Sequence, residues 1–385
     1  MNEELNNRME KIKAQGMYRE LKAVSSTPGR DITIDGKPCV NLSSNNYLGL
    51  ASHPEVKKAA ITAVEKYGAG GTSSRLIAGN LDIHEELESK LAALKKAESA
   101  LVFPSGYQTN VGIISALLGG GACLIMDRLN HASLWDAAKL SGARVFAYPH
   151  KDMNYLEKIF KRVKNYGMKL VATDAVFSMD GDTAPLKDIV SLAKKYGALT
   201  MIDEAHSTGV LGAGGGGLAE LSGTESEIDI IMGTLSKALG SQGGFVCGSS
   251  TLKQYLVNRC RAFIYSIALA PSAAGAALKA VEMIGSEPER RIKLAQLSEY
   301  FRQALGGLGV NTAGSETQII PAVLGGVDRT LALSKMLFEA GIFAPAIRPP
   351  TVPEGGCRLR FSLTSEHTRE DVDRVINVLK GAQNV

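Results

Sequence analysis

The chain has 385 residues, 45% hydrophobic and 21% charged, with a net charge of +4 at pH 7. It is long enough for more than one domain, and its slight basic excess, without any Lys/Arg block interleaved with aromatics, suits anionic small substrates and excludes a nucleic-acid surface. No apolar run approaches a membrane span, the charged, helix-patterned first twelve residues are no secretory signal, and Cys39, Cys123, Cys247, Cys260 and Cys357 lack CxxC spacing, so they read as reduced thiols of a cytoplasmic protein and neither as a disulfide frame nor as a metal site.

From about residue 55 to 265, short apolar runs alternate with helical periods, which predicts an α/β, doubly wound sheet. The first informative run, Ala100-Leu-Val-Phe103, turns through Pro104 and Ser105-Gly106-Tyr107 into a helical stretch from Thr109. Free N–H groups at such a helix start would hold a phosphate. The next, Leu124-Ile-Met-Asp127, leads to Asn130-His131-Ala-Ser133 and a helix over 134–140. His131 could lie flat on an aromatic cofactor, or be a helix-start histidine without a partner. Lys169-Leu-Val-Ala runs into Thr173-Asp174-Ala-Val-Phe-Ser178. A helix follows over 185–196, with proline in its first turn, apolar residues at 186, 189, 190 and 193, late lysines, and Gly197 as its stop.

Ala198-Leu-Thr-Met-Ile-Asp203 then ends on a carboxylate, with His206 three residues on. Open α/β sheets gather ligands at such strand ends, and a carboxylate there can keep a pyridine-type ring nitrogen protonated. An Asp-x-x-His could equally be a capping pair or half a metal site, although no cysteine or second histidine stands at ligand spacing. Gly212-Ala-Gly214-Gly-Gly-Gly217 matches G-x-G-x-x-G formally, but no strand runs into it, and it reads as a flexible loop. Finally Asp229-Ile-Ile-Met-Gly-Thr234-Leu-Ser236-Lys237 places an amine at a strand mouth beside two hydroxyls. Taken alone, such a lysine is an ordinary solvated side chain; as one of five strand-end clusters that each supply what a single aldehyde cofactor needs, it is a covalent catalyst.

Beyond residue 270 the pattern changes to helices over 272–284 and 289–306, a strand over 317–324, a helix over 329–340, a strand from Cys357 to Leu363 and a last helix from Thr368. This gives an N-terminal segment over 1–50, a large α/β domain over 51–285 and a small α+β domain over 286–385.

Six segments, Ser43-Ser-Asn-Asn46-Tyr-Leu-Gly-Leu50, Ser105-Gly-Tyr-Gln-Thr-Asn110, Asn130-His-Ala-Ser133, Val176-Phe-Ser-Met-Asp-Gly181, Asp203-Glu-Ala-His-Ser-Thr-Gly209 and Gly233-Thr-Leu-Ser-Lys237, resemble the motifs of fold-type-I pyridoxal-phosphate transferases, and within them of the α-oxoamine synthases, over essentially the whole chain. The resemblance implies a mainly parallel central sheet in the large domain and pyridoxal 5′-phosphate as cofactor. It also assigns roles. Lys237 holds the cofactor as a Schiff base and later acts as general base; Asp203 pairs with the ring nitrogen; His206, supported by Ser178, serves the ring oxygen. His131 stacks on the ring and positions the acyl carbonyl. Gly106, Tyr107, Thr234 and Ser236 take the phosphate. Arg360 grips the amino-acid carboxylate as a bidentate fork, the alternative being a strand-face salt bridge, and Arg19 and Thr351 lie near the acyl substrate. The family works as a homodimer with its active site at the interface, so Asn46, Tyr47 and the Tyr265-Ser266 region would serve the partner's site. Where the family usually carries an arginine this chain has Gly216, which implies added mobility in that loop.

Ala346-Ile-Arg-Pro-Pro-Thr-Val-Pro353 points to the members that condense L-alanine with pimeloyl-CoA or a pimeloyl-carrier protein, releasing CO2 and the thiol, in biotin formation. The alternatives are a sister enzyme using glycine with acetyl-CoA or succinyl-CoA, a nucleotide-dependent oxidoreductase, which would need a phosphate fingerprint the chain lacks, and a cofactor-free scaffold.

Overall fold

The first two strands, β1 (Asp31–Ile34) and β2 (Lys37–Asn41), form an antiparallel hairpin closed by Asp35 and Gly36. Both turn residues have positive φ, 52° and 78°, the two-residue turn whose twist matches paired strands. The computed structural model describes residues 1–15 and 17–383. They form two compact units, one of Met1–Ser44, Met179–Gly181 and Ala295–Val385, the other of Asn45–Ser178 and Asp182–Leu294.

The second unit is built on seven strands: β3 (Ser99–Phe103), β4 (Cys123–Asp127), β5 (Arg144–Tyr148), β6 (Lys169–Asp174), β7 (Leu199–Asp203), β8 (Ile230–Thr234) and β9 (Gly244–Gly248). Their order is β3-β9-β8-β7-β6-β4-β5. All pairings are parallel except those of β9, which runs antiparallel to both its neighbours. Every residue of β4 and β8 is buried, which is why these strands read as continuous apolar runs. The helix predicted over 185–196 spans Leu186–Lys195 and buries Leu186, Ile189, Val190 and Ala193, the i, i+3, i+4, i+7 stripe its spacing promised. Burying each of the larger three is worth roughly 1.5–3 kcal/mol.

Because β9 is reversed, β3 and β8 point the same way, and the C-terminal ends of β3, β4, β6, β7 and β8 share one sheet edge. After β4 the chain steps outward to β5 and then returns to β6 on β4's other side, the switch of direction that opens a crevice in doubly wound sheets. Gly244 starts β9 between Phe103 and Thr234. A Cβ there would collide with Thr109 Oγ1 and stand 2.7 Å from Gly106 Cα, so only glycine lets the helix Gly106–Leu117 begin against the sheet edge.

In the first unit, β10 (Ile319–Gly325), β12 (Ala346–Ile347) and β13 (Cys357–Ser362) make an antiparallel sheet in the order β10-β13-β12. β11 (Ile342–Phe343) joins the N-terminal hairpin by pairing in parallel with β2. Phe301 from the helix Glu289–Gly307 meets Phe361 of β13 edge to face at 5.2 Å. All five cysteines are buried and free.

Candidate active site

A cavity of about 270 Å³ opens at the shared strand-end edge, near the lower end of the range for small-molecule sites. It is lined by Ser105, Gly106 and Tyr107 after β3, His131 and Ser133 after β4, Asp174 and Val176 at β6, Asp203 and His206 at β7, and Thr234, Ser236 and Lys237 at β8, with Asn110 from the first helical turns. The five strand-end clusters therefore converge on one space. Asn110, Ser133 and Asp174 had no assigned role in the sequence, where each looks like any polar residue near a loop.

Asp203 is held from two sides. Its Oδ2 accepts from Asn110 Nδ2 at 2.7 Å and its Oδ1 from the Ala205 N–H at 2.9 Å. Beside it, Asp174 is buried, and that burial, reinforced by the charge of Asp203 and opposed by Lys237, raises its pKa well above the usual carboxylate range. Its Oδ2 accepts from the His131 N–H at 3.0 Å.

Half-buried Lys237 places Nζ 2.9 Å from His206 Nε2. His206 Nδ1 lies 2.6 Å from Tyr47 Oη, which donates to Asn45 Oδ1 at 3.1 Å. His206 thus stands between the Tyr47 phenol on Nδ1 and the Lys237 amine on Nε2. Tyr47, assigned from the resemblance to a partner's site, is thus hydrogen-bonded to His206 of its own chain.

At the other end of the cavity, Ser105 caps the helix Gly106–Leu117 by accepting from the Gln108 N–H at 3.2 Å. The first N–H groups of a helix have no partner within it. A Cβ on Gly106 would sit 3.4 Å from Thr234 Oγ1, so the helix start faces the hydroxyl pair of Thr234 and Ser236, themselves 2.8 Å apart. Helix N–H groups opposite two hydroxyls make an anion cradle. Tyr107 offers this cradle its backbone, because its phenol donates to Asp136 at 2.7 Å.

His131 is the N-cap of the helix Ala132–Ser141. Its Nδ1 accepts from the Ser133 N–H at 3.2 Å and lies 2.7 Å from Ser133 Oγ. Burial lowers the imidazole pKa; Asp203 pulls it up and Lys237 pushes it down further, leaving it below its ordinary value and the ring neutral at pH 7.

Other sequence-predicted residues stand elsewhere. Ser178 is half-buried four residues beyond β6 and is not among the residues lining the cavity. Asn46 is buried and uses its Oδ1 to accept from the Ala51 N–H at 3.1 Å. Tyr265 is exposed, and Ser266 Oγ accepts from Gln108 Nε2 at 3.4 Å. In the other unit, Arg19 donates to Thr351 Oγ1 at 3.0 Å and lines a groove of about 800 Å³ with Lys22, Phe338, Phe343 and Arg348. Arg360, half-buried on β13, donates to Ser362 Oγ at 2.9 Å.

The expectation of a mobile Gly212–Gly217 loop is corrected. The N–H groups of Gly214 and Gly216 donate to the Glu220 carboxylate at 2.9 and 2.7 Å. The Gly216 carbonyl accepts from the buried Lys95 Nζ at 2.6 Å. Side-chain-free backbone folds tightly around a carboxylate here, and tertiary hydrogen bonds hold what composition alone marks as loose.

The family model described as aminotransferase class I and II matches residues 37–379. A relative named 8-amino-7-oxononanoate synthase from Citrifermentans bemidjiense is 47% identical over 374 residues, covering 97% of this chain and 96% of its own. A structure described as SPT with PLP internal aldimine matches with a TM-score of 0.93 at 31% identity, over 99% of this chain and 96% of that one. The crystal structure of 8-amino-7-oxononanoate synthase from Francisella tularensis matches with a TM-score of 0.78 at 26% identity, over 90% of this chain and 98% of that one.

Proposed function

The chain belongs to the class I and II aminotransferase family, and from that premise we propose that it is an α-oxoamine synthase condensing L-alanine with a pimeloyl thioester to give 8-amino-7-oxononanoate, CO2 and free thiol in biotin formation. The observation that carries this reading is the set of groups around one cavity: a lysine amine, a carboxylate fixed by two N–H donors, and a helix start facing two hydroxyls. These fit pyridoxal 5′-phosphate group by group, with Asp203 for the ring nitrogen, Lys237 for the aldehyde carbon, and Gly106, Tyr107, Thr234 and Ser236 for the phosphate. When bound, that cofactor supplies an electron sink for a carbanion at the amino acid's Cα.

The chain's own residues do the rest. Lys237 would hold the cofactor at its aldehyde carbon, and its amine, when free, would take the Cα proton. His206, held by Tyr47, would steer that amine and serve the ring-oxygen side, where the resemblance also puts Ser178. Neutral His131, as the resemblance implies, would lie against the ring and position the acyl carbonyl. By the same resemblance, Arg360 takes the amino-acid carboxylate and so decides which Cα bond is aligned to break, while Arg19, Asn46 and Thr351 serve the acyl substrate. The enzyme acts as a homodimer in the cytoplasm. The family resemblance supports the first point and the five free cysteines the second; among the described residues no helix is long and apolar enough to cross a membrane. The thiol carrier is CoA or a carrier protein.

The structural likeness, at a TM-score of 0.93, to a structure named serine palmitoyltransferase favours a second reading, a synthase of the same family taking an amino acid other than alanine. Identity of 47% over nearly the whole chain to a relative named for the alanine reaction outweighs it. The deciding experiment has two arms. The purified protein shows a visible band that borohydride fixes onto Lys237, and Lys237→Ala loses it; fixation on another lysine refutes the assignment. Free thiol and a nine-carbon product form with alanine and pimeloyl-CoA; release only with glycine and acetyl-CoA overturns the substrate assignment.

A further inference from the structure

Asn110 is almost wholly buried, and its one amide reaches two groups that come from different strand ends. Its Nδ2 lies 2.7 Å from Asp203 Oδ2 and 2.8 Å from Ser133 Oγ. Its Oδ1 is buried, and no described residue hydrogen-bonds it. The amide orientation follows from the carboxylate, which has only lone pairs to offer. Turning the amide over would set Oδ1 against Asp203 and leave both N–H donors stranded. With one N–H on Asp203, the second points at Ser133 Oγ and occupies a lone pair there. The Ser133 hydroxyl proton is then free to go to His131 Nδ1, 2.7 Å away. Since that nitrogen also accepts from the Ser133 N–H, a neutral His131 must carry its proton on Nε2.

We propose that Asn110 is a positioning residue which, acting through Ser133, fixes His131 as the Nε2–H tautomer while the same amide orients Asp203. His131 then meets the incoming acyl carbonyl as a hydrogen-bond donor aimed at the oxygen where negative charge develops. The charged and titratable groups that share the cavity with His131 are Tyr107, Asp174, Asp203, His206 and Lys237. Burial and Lys237 together keep the imidazole in its neutral form, against the pull of Asp203. What the Nε2–H group does in the reaction rests on the proposed function; the tautomer rests on the hydrogen bonds alone.

The test is ¹⁵N NMR of the histidine-labelled enzyme at pH 7, with His131→Gln used to assign the resonances. The expected result is an unprotonated Nδ1 and a protonated Nε2 at His131. Asn110→Asp offers acceptors where the amide offered donors, so it draws the Ser133 proton away and moves the His131 proton to Nδ1. It also shifts the pH dependence of the visible band through the lost Asp203 contact. Ser133→Ala leaves Asp203 untouched and gives a mixture of tautomers, with a lower kcat for condensation, an unchanged KM for the amino acid and an intact visible band. A wild-type His131 protonated on Nδ1 overturns the proposal, as do wild-type imidazole shifts in both variants. A protein that never takes up pyridoxal phosphate would retire the functional reading, and the nitrogen shifts would still decide the tautomer.

Discussion

Lys95→Met removes the cation from the most enclosed ion pair of the chain's second unit. The Lys95 and Glu204 side chains are 1% and 0% exposed, with Nζ 2.5 Å from Oε2. The ammonium also donates to Thr208 Oγ1 at 2.8 Å and to the Gly216 carbonyl at 2.6 Å. Glu204 Oε1 accepts from the Ala219 N–H at 2.8 Å. Methionine fills the volume of the lysine stem but leaves a carboxylate without its counter-charge and a carbonyl without its donor. Removing one partner of a buried pair costs roughly 3–5 kcal/mol. At about 2–4 °C per kcal/mol for a unit of this size, Tm falls by roughly 6–20 °C. The assay is thermal unfolding followed by circular dichroism, with the Lys95→Met/Glu204→Gln pair as control. Glutamine keeps the acceptor for Ala219 and has no charge to strand, so the double variant should recover at least half of the loss. A single variant that melts within about 2 °C of the parent, less than 1 kcal/mol on that scale, or a double variant that melts no higher than the single, would refute the reasoning.

Three further outcomes are expected. His150 lies 3.1 Å from Asp127 and 2.9 Å from Asp182; burial works against its charge, but the hydrogen bonds and charges of the two carboxylates outweigh it and raise its pKa to about 9. Its stabilising contribution is therefore complete below pH 6.5 and fades as pH rises through 9, so Tm falls over that window in the parent and stays flatter in His150→Gln. His367 behaves oppositely: burial drives its pKa down to about 4, and its neutral ring accepts from the Thr364 N–H at 2.9 Å and donates to the Asn41 carbonyl at 3.1 Å. Its contribution is present above pH 6.5 and lost as pH falls through 4, and acid titration of unfolding in His367→Gln should show a shallower decline than in the parent. Arg360→Lys replaces a planar fork with a point charge; losing one charge-assisted hydrogen bond of about 1.5–3 kcal/mol raises KM for L-alanine roughly ten- to a hundredfold in steady-state assays, and an unchanged KM would remove Arg360 from carboxylate binding.

The chain's local pattern was enough to place β4, β6, β7 and β8 as buried runs and to mark Lys237, Asp203 and His131, because a parallel sheet needs continuous apolar strands and its chemistry stands at their ends. That logic extends only as far as neighbours in sequence. Asn110 and Asp203 lie 93 residues apart, and Tyr47 and His206 lie 159 apart, yet each pair shares a hydrogen bond. Nothing local tells an asparagine in a helical turn that its amide will face a carboxylate. That depends on the strand order and on β9 entering antiparallel between β3 and β8. The N-terminal hairpin likewise gained a parallel neighbour, β11, from some three hundred residues downstream, a pairing whose loop-closure cost rises only slowly with length. Composition judged the Gly212–Gly217 loop mobile, because glycine lacks side-chain restraint, but Glu220 and Lys95 supply the restraint from outside it. The sequence by itself thus marked the strand ends whose groups meet in the cavity, since residue chemistry and strand-end position are local properties. Which group holds which, and on which atom His131 carries its proton, was decided only by the tertiary structure, because hydrogen-bond direction is set by partners brought together in space.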